Sequence, residues 1–257
     1  MPALEPSNTY AQSFARGLAV IMTFDEGARS LTLTEVAART DLTRATARRL
    51  LHTLVTLGYA ATDGKHFSLT PKILDLGFAY LSSSEIWRFA EEDLQALAAE
   101  VNESTSISVL DGHDIVYVMR VPTKHILKSA LNVGSRVPAH AISMGRVQLA
   151  ALPERELRSY LASARLQAFT PWTITGPEEL RVAIDRDRAQ GWSEVYRELE
   201  EGISGLAVPI HAASGRVIAA ANISAAPARI QEPGMRDYLL ERLRSTAHAI
   251  EERLRTA

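Results

Sequence analysis

The chain has 257 residues, 28 Lys plus Arg against 30 Asp plus Glu, 46% hydrophobic residues and no cysteine. That length accommodates two domains or one large one, and the lack of cysteine excludes a disulfide framework, a thiol nucleophile, an iron–sulfur cluster and a thiolate zinc site. No apolar run approaches the roughly 18 to 20 residues of a membrane span, and MPALEPSNTYAQ lacks the basic-then-apolar order of a signal peptide, so a cytoplasmic protein with no membrane partner is expected.

Residues 1–12, with two prolines and little periodicity, read as a flexible arm. Phe14, Leu18, Ile21 and Met22 then recur at helical spacing, with Ser13 as N-cap and a stop in the loop at 25–30. A short helix capped by Thr34 carries Val36 and Ala37 inward and ends at Thr40-Asp41. A third, capped by Thr43, buries Ala47, Leu50, Leu51 and Leu54 and stops at Gly58. The segments 59–62 and 66–69 flank Asp63-Gly64, a pair suited to a tight hairpin turn, and form a wing. After Pro71 another helix runs to a Ser-rich end, and a helix over 85–101, with Phe89, Leu94, Leu97 and Val101 apolar, opens a second domain.

In that domain, strands at 106–110 and 115–121 flank a hairpin turn at Asp111-Gly112-His113-Asp114, and 125–133 reads as a third strand. A second hairpin joins GLAVPIHA to RVIAAANIS through Ser214-Gly215, with Pro209 requiring an edge or a bulge. Helices are expected near 143–152, 154–164 and 177–190, and a last one from 235 to 255 buries Leu239, Leu243, Ala247, Ile250 and Leu254. The fold class is therefore α+β. The expected divisions are an arm (1–12), a winged helix-turn-helix domain (13–70), a connector helix (71–86) and a second domain (87–257).

The third helix carries the clearest chemistry. Advancing about 100° per residue from Ala47 puts Ala45, Arg49, His52 and Thr56 opposite the apolar stripe, with Arg44 and Arg48 on one flank and Thr46 on the other. A recognition helix needs small residues to approach the major-groove floor, and hydroxyls and guanidiniums to meet base edges and phosphates. Between Arg39 and Lys72 six cations (Arg39, Arg44, Arg48, Arg49, Lys65, Lys72) face only Asp41 and Asp63, so a basic island precedes a mildly acidic body. A solvated basic face is the bland reading. The preceding short helix, the tight turn and Lys65 at the tip of a wing favour DNA, with candidate contacts at Thr43, Arg44, Ala45, Thr46, Arg48, Arg49, His52 and Lys65.

A second cluster spans GSRVPAHAISMGRVQLAAL at 134–152. Pro138 forces an extended approach to a helix starting near Ser143, whose first-turn N–H groups suit an anion. A capped core helix without ligand is the alternative from this stretch alone. Ala141 to Gly145 also echoes the nucleophile elbow of α/β-hydrolases, with Ser143 as nucleophile and His140 or His211 as base, but no buried strand precedes it. The seven histidines show no metal-ligand spacing and no phosphate-binding glycine motif is present, so no metal and no cofactor are expected.

The winged helix and connector, then Gly134-Ser135-Arg136-Val137-Pro138-Ala139-His140 running into Ser143-Met144-Gly145-Arg146, then Glu200-Glu201-Gly202 leading to Ala207-Val208-Pro209-Ile210, resemble the IclR family of bacterial transcription regulators over nearly the whole chain. Within it, LTRATARRLLHTLVTLGY, DIVYVMRVPT and NVGSRVPAHAISMGRVQLAAL look most like regulators of the β-ketoadipate pathway, which respond to protocatechuate, 4-hydroxybenzoate or ketoadipate-type acids. The resemblance implies a GAF-like effector domain with an antiparallel sheet flanked by helices. It places effector contacts on the backbone amides of Ser143 and Met144, on Asn222 and Ser224, and on Ile126, Ser129 and Leu131. Arg197, just before Glu200-Glu201-Gly202, is a candidate second charge partner, with a surface arginine as the alternative. Members commonly carry Arg and then a small polar residue where this chain has Ser204 and Gly205, so Gly205 is expected to leave room for a larger or differently placed ring. The implied partners are a pseudo-palindromic operator DNA, a small carboxylate effector and a second copy of the chain, in a homodimer that can pair into a dimer of dimers. The rival classes are a hydrolase and a winged-helix module that contacts protein.

Overall fold

A computed structural model describes residues 9–25, 27–82, 86–123 and 131–256, except for the side chains of Leu81 and of residues 86–89. It divides into two compact units, Pro2–Ser83 and Ser84–Ala257. The first contains helices α1 (Gln12–Ile21), α2 (Leu33–Thr40), α3 (Arg44–Thr56) and α4 (Leu74–Ser82), and strands β1 (Leu31–Thr32), β2 (Ala60–Thr62) and β3 (His66–Leu69).

Two helix starts differ from expectation. The α1 helix begins at Gln12, where the Ala11 carbonyl accepts from the N–H groups of Phe14 and Ala15, so Ser13 lies inside the first turn. The cap of α2 is Thr32 and not Thr34. Thr32 Oγ1 accepts from the Glu35 N–H at 3.3 Å, while Glu35 Oε2 accepts from the Thr32 N–H at 2.7 Å, a reciprocal pair that satisfies two otherwise free donors. Thr32 also ends β1, which adds a third strand to the wing in the order β1-β3-β2. Asp41 takes a left-handed backbone (φ 52°) and turns the chain from α2 into α3. Val20, Val36, Leu51, Leu54 and Phe67 form the core of this unit, whereas Phe14, Leu18 and Met22 on α1 stay exposed.

The second unit adds α5 (Ile86–Val101), β4 (Ser104–Asp111), β5 (Asp114–Val121), β6 (Arg136–Pro138), α6 (Ser143–Ala150), α7 (Glu154–Ser163), α8 (Pro177–Gln190), β7 (Ser193–Tyr196), β8 (Ser204–His211), β9 (Val217–Ala225), α9 (Pro227–Ile230) and α10 (Met235–Thr256). Its six-stranded sheet runs β6-β5-β4-β9-β8-β7, with every pairing antiparallel. Helices α5 and α10 pack on one face and α6, backed by α8, on the other. Of the expected strand over 125–133, residues 124–130 lie outside the described residues and Leu131 to Val133 form no strand; the third strand at this edge is β6. Pro209 pairs with Ala220 beyond the last residue matched to β7 and just before the bulge at Ile210/His211, so its missing N–H interrupts no ladder on the β7 side. Leu254, expected in the core, is half-buried near the end of α10.

Alternation along the central strands assigns their faces. Thr105 of β4 donates to the Leu94 carbonyl of α5, while Ser108 accepts from Gln148 of α6. Ser104, Ser106 and Ser108 therefore share the α6 face with their partners Ser224, Asn222 and Ala220 of β9, and with Gly205 and Ala207 of β8. That face is built from unusually small side chains, which leaves space between the sheet and the start of α6.

Candidate functional site

The first unit presents α3. Its N-cap Thr43 accepts from the Thr46 N–H at 3.2 Å, and the two hydroxyls lie 3.0 Å apart, so the first turn is fixed before any ligand arrives. Arg44, Ala45, Arg48, Arg49 and His52 are exposed while Ala47, Leu51 and Leu54 are buried, which gives the helix one anchored and one cationic face. Not all of the basic island is free. Arg39 donates to the Thr23 carbonyl and lies 3.6 Å from Asp25, and Lys72 Nζ caps the end of α3 at the Leu57 carbonyl, 2.9 Å away. Among the described residues Arg44, Arg48, Arg49 and Lys65 form no ion pair and stay available to phosphates or bases. His52 also meets Phe67 of the wing edge-on at 6.0 Å. At the wing tip, Asp63 Oδ1 accepts from the N–H groups of His66 and Lys65, which hold its carboxyl down at about 2 and brace the turn that displays Lys65.

In the second unit a crevice that opens to solvent lies between the small-residue face of the sheet and the start of α6. Leu131, Ser143, Gly205, Asn222 and Ser224 line it. The Ser143 hydroxyl is fully buried and has no hydrogen-bond partner among the described residues. Asn222 spends its amide nitrogen on Ser224 Oγ at 2.8 Å while its Oδ1 has no partner among the described residues. Two buried polar groups without partners are costly unless something binds them. As first-turn residues of α6, Ser143 and Met144 also have N–H groups with no acceptor inside the helix. The Met144 side chain itself is buried in the core.

Two expectations change here. A Cβ built on Gly205 would fall 2.8 Å from Ser143 Oγ, so the space freed by this glycine is taken by the serine hydroxyl and is not open to a larger ring. Arg197 does not line the crevice. Its guanidinium stacks 3.8 Å over the Trp172 ring and donates to the Glu201 carbonyl, and its left-handed backbone (φ 58°) turns the chain after β7. Ile126 and Ser129 lie outside the described residues. For the hydrolase reading, His140 Nε2 bonds the Gln167 carbonyl and His211 Nδ1 bonds Glu251, so neither is brought to Ser143.

Sequence reasoning missed Tyr117, Arg120 and Glu198, which line the same crevice, and Arg146 behind it. Burial pushes the Tyr117 phenol up to about 12. Arg146 and Glu198 form a buried ion pair at 2.5 Å, and Glu198 Oε2 also accepts from the Ile174 N–H. Burial raises the Glu198 carboxyl, against the opposing pull of the Arg146 guanidinium. An arginine inside the wholly buried helix SMGRVQLA was the available signal for such a pair. Its partner, 52 positions further on, had none.

Comparison with known proteins covers both units. A family model described as the IclR helix-turn-helix domain matches residues 13–64, and one described as the bacterial transcriptional regulator IclR C-terminal domain matches residues 78–252. The Pca regulon regulatory protein of Pseudomonas putida is 45% identical over 222 residues, 86% of this chain and 76% of that protein. The p-hydroxybenzoate hydroxylase transcriptional activator of Acinetobacter baylyi is 35% identical over 246 residues, 94% of this chain and 91% of its own. Among solved structures, a transcriptional regulator from Rhodococcus sp. RHA1 is 49% identical with a TM-score of 0.87, covering 96% of this chain and 99% of that one. An IclR homolog from Microbacterium hydrocarbonoxydans, complexed with 4-hydroxybenzoate, is 26% identical with a TM-score of 0.84, covering 95% of this chain and 100% of that one.

Proposed function

The chain belongs to the IclR family of bacterial transcriptional regulators, and from that premise we propose that its affinity for operator DNA is set by a small carboxylate in the crevice at the start of α6. The effector is an acid of aromatic catabolism, an aromatic acid or a ketoadipate-type product. Two relatives named for the Pca regulon and for p-hydroxybenzoate hydroxylase, and a homolog complexed with 4-hydroxybenzoate, support that class. One observation within this chain carries the site: Ser143 Oγ and Asn222 Oδ1, buried and without partners among the described residues, line the crevice beside a helix start whose N–H groups favour an anion.

On the DNA side, Thr43, Arg44, Ala45, Thr46, Arg48, Arg49 and His52 enter the major groove and Lys65 meets phosphate from the wing. The protein works in the cytoplasm as a homodimer, or a dimer of dimers, on a pseudo-palindromic site, and it makes and breaks no covalent bond. Exposed Phe14, Leu18 and Met22 on α1 and Leu74 and Phe78 on α4 supply apolar surface for pairing two winged domains.

Thermal unfolding tests the carboxylate site. An aromatic acid at 100 times its Kd stabilises the folded protein by about 2.7 kcal/mol and raises the melting temperature, whereas its methyl ester at the same concentration does not. Equal shifts with acid and ester would remove the helix-end carboxylate site.

A further inference from the structure

The end of the recognition helix is held from outside the helix. Helix α3 stops where Gly58 takes a left-handed backbone (φ 80°), and the N–H groups of Gly58 and Tyr59 return to the carbonyls of Val55 and Leu54. That closure leaves the carbonyls of Leu57, Gly58 and Tyr59 without partners inside the helix. The segment 70–72 takes all three. Lys72 Nζ donates to the Leu57 carbonyl at 2.9 Å, Thr70 Oγ1 to the Gly58 carbonyl at 2.5 Å, and the Thr70 N–H to the Tyr59 carbonyl at 2.9 Å. The Lys72 ammonium also stands 5.0 Å over the Tyr59 ring, which places its charge at the negative end of α3.

The same residues are the entry to the connector. Thr70 precedes a single 3-10 turn, Pro71–Ile73, that runs directly into α4, and the Pro71 ring fixes its own φ there. Leu76, in the first turn of α4, lines a groove along α3 with Leu50, Leu54 and Leu57, so apolar packing continues what the polar contacts begin. One such hydrogen bond shifts an equilibrium by only about two- to tenfold. Three of them on consecutive carbonyls, beside a proline, make a short and stiff joint. A change in the direction of α4 then turns α3 with it and is not absorbed between them.

We propose that Lys72, together with Thr70, is a positioning residue that clamps the connector to the end of the recognition helix, so that changes in α4 on acid binding reach the operator through α3. This rests on the proposed coupling of acid and operator, and it assigns the last step of that coupling to named side chains. Lys72 thereby has a role in the basic island other than phosphate binding.

Operator binding by the full chain tests it, measured by anisotropy over a range of salt concentrations. Each titration is run with and without whichever of 4-hydroxybenzoate, protocatechuate and β-ketoadipate calorimetry shows to bind. Lys72→Met keeps the aliphatic stem and loses the donor. Its acid-free operator affinity stays within about twofold of the wild type, its salt slope and acid affinity are unchanged, and the effect of acid on operator affinity shrinks by about threefold or more. Lys72→Arg, which restores a donor, keeps most of that effect, and adding Thr70→Val to Lys72→Met removes more of it. A salt slope lower by about one unit in Lys72→Met, with weaker binding in the absence of acid, identifies a phosphate contact and overturns the inference. A full effect of acid in folded Lys72→Met overturns it as well, while leaving the coupling standing. If no acid alters the operator affinity of the wild type, the coupling falls and this inference with it.

Discussion

Arg49 and Lys65 are both exposed cations of the winged domain, yet they sit where they report different things. Arg49 projects from α3 beside His52, so Arg49→Ala costs about 1 to 3 kcal/mol of operator affinity and relaxes specificity at one base pair. Lys65 rides the wing tip, and Lys65→Ala weakens all sequences alike and lowers the salt slope by about one unit. Competition binding against a set of single-base operator variants separates the two; identical profiles would remove Arg49 from base readout. Two glycines make a second contrast. A Cβ on Gly145 would stand 2.1 Å from the Ala139 carbonyl oxygen, a backbone atom that cannot rotate away, so Gly145→Ala destabilises the effector domain by about 2 to 4 kcal/mol. At Gly205 the obstacle is the Ser143 hydroxyl, which can turn aside. Gly205→Ala therefore leaves the melting temperature within a few degrees and lowers acid affinity, and a variant that binds acid like the wild type would show that this hydroxyl does not touch the ligand.

At the scale of elements, the wing tip has a pH dependence of known sign. The Asp63 carboxyl is held at about 2, below its ordinary 3.8, so its two hydrogen bonds are intact at neutral pH and are lost as pH falls from about 4 toward 2. An NMR titration of the Asp63 carboxyl carbon with its midpoint near 4 would show that the turn is not braced this way. The elements themselves were largely legible in the sequence, because Ala47, Leu51 and Leu54 repeat at helical spacing and Asp63-Gly64 and Ser214-Gly215 mark hairpin turns. The misplaced α2 cap shows where local reading stops: Thr32 and Thr34 both precede an apolar pair, and only the reach of Glu35 back to Thr32 distinguishes them. The crevice was legible in half. Asn222 and Ser224 lie two apart on one strand and declare a shared face, and Ser143 opens a helix after Pro138. Arg120 of β5 and Glu198, two residues after β7, line one crevice from opposite ends of the order β5-β4-β9-β8-β7, and that placement depends on sheet order, which no local spacing encodes.

For the whole molecule, the central claim is that one chain couples a carboxylate to an operator. The covalent path between the crevice and α3 runs through α4 and residues 83–85, so a flexible Gly-Ser insertion within 81–84 is expected to preserve acid affinity while abolishing the effect of acid on DNA binding. The most direct measurement is fluorescence anisotropy of a labelled pseudo-palindrome from the promoter region beside the coding gene, titrated with the full chain with and without saturating 4-hydroxybenzoate. A ligand shifts operator affinity only through its differential affinity for two states of the protein, and typical couplings of about 1 to 3 kcal/mol correspond to roughly 5- to 150-fold. The account predicts tight binding that weakens steeply with salt and changes by a factor in that range, of either sign, when the acid is added. Operator affinity that stays the same at acid concentrations already shown to saturate the crevice would contradict it.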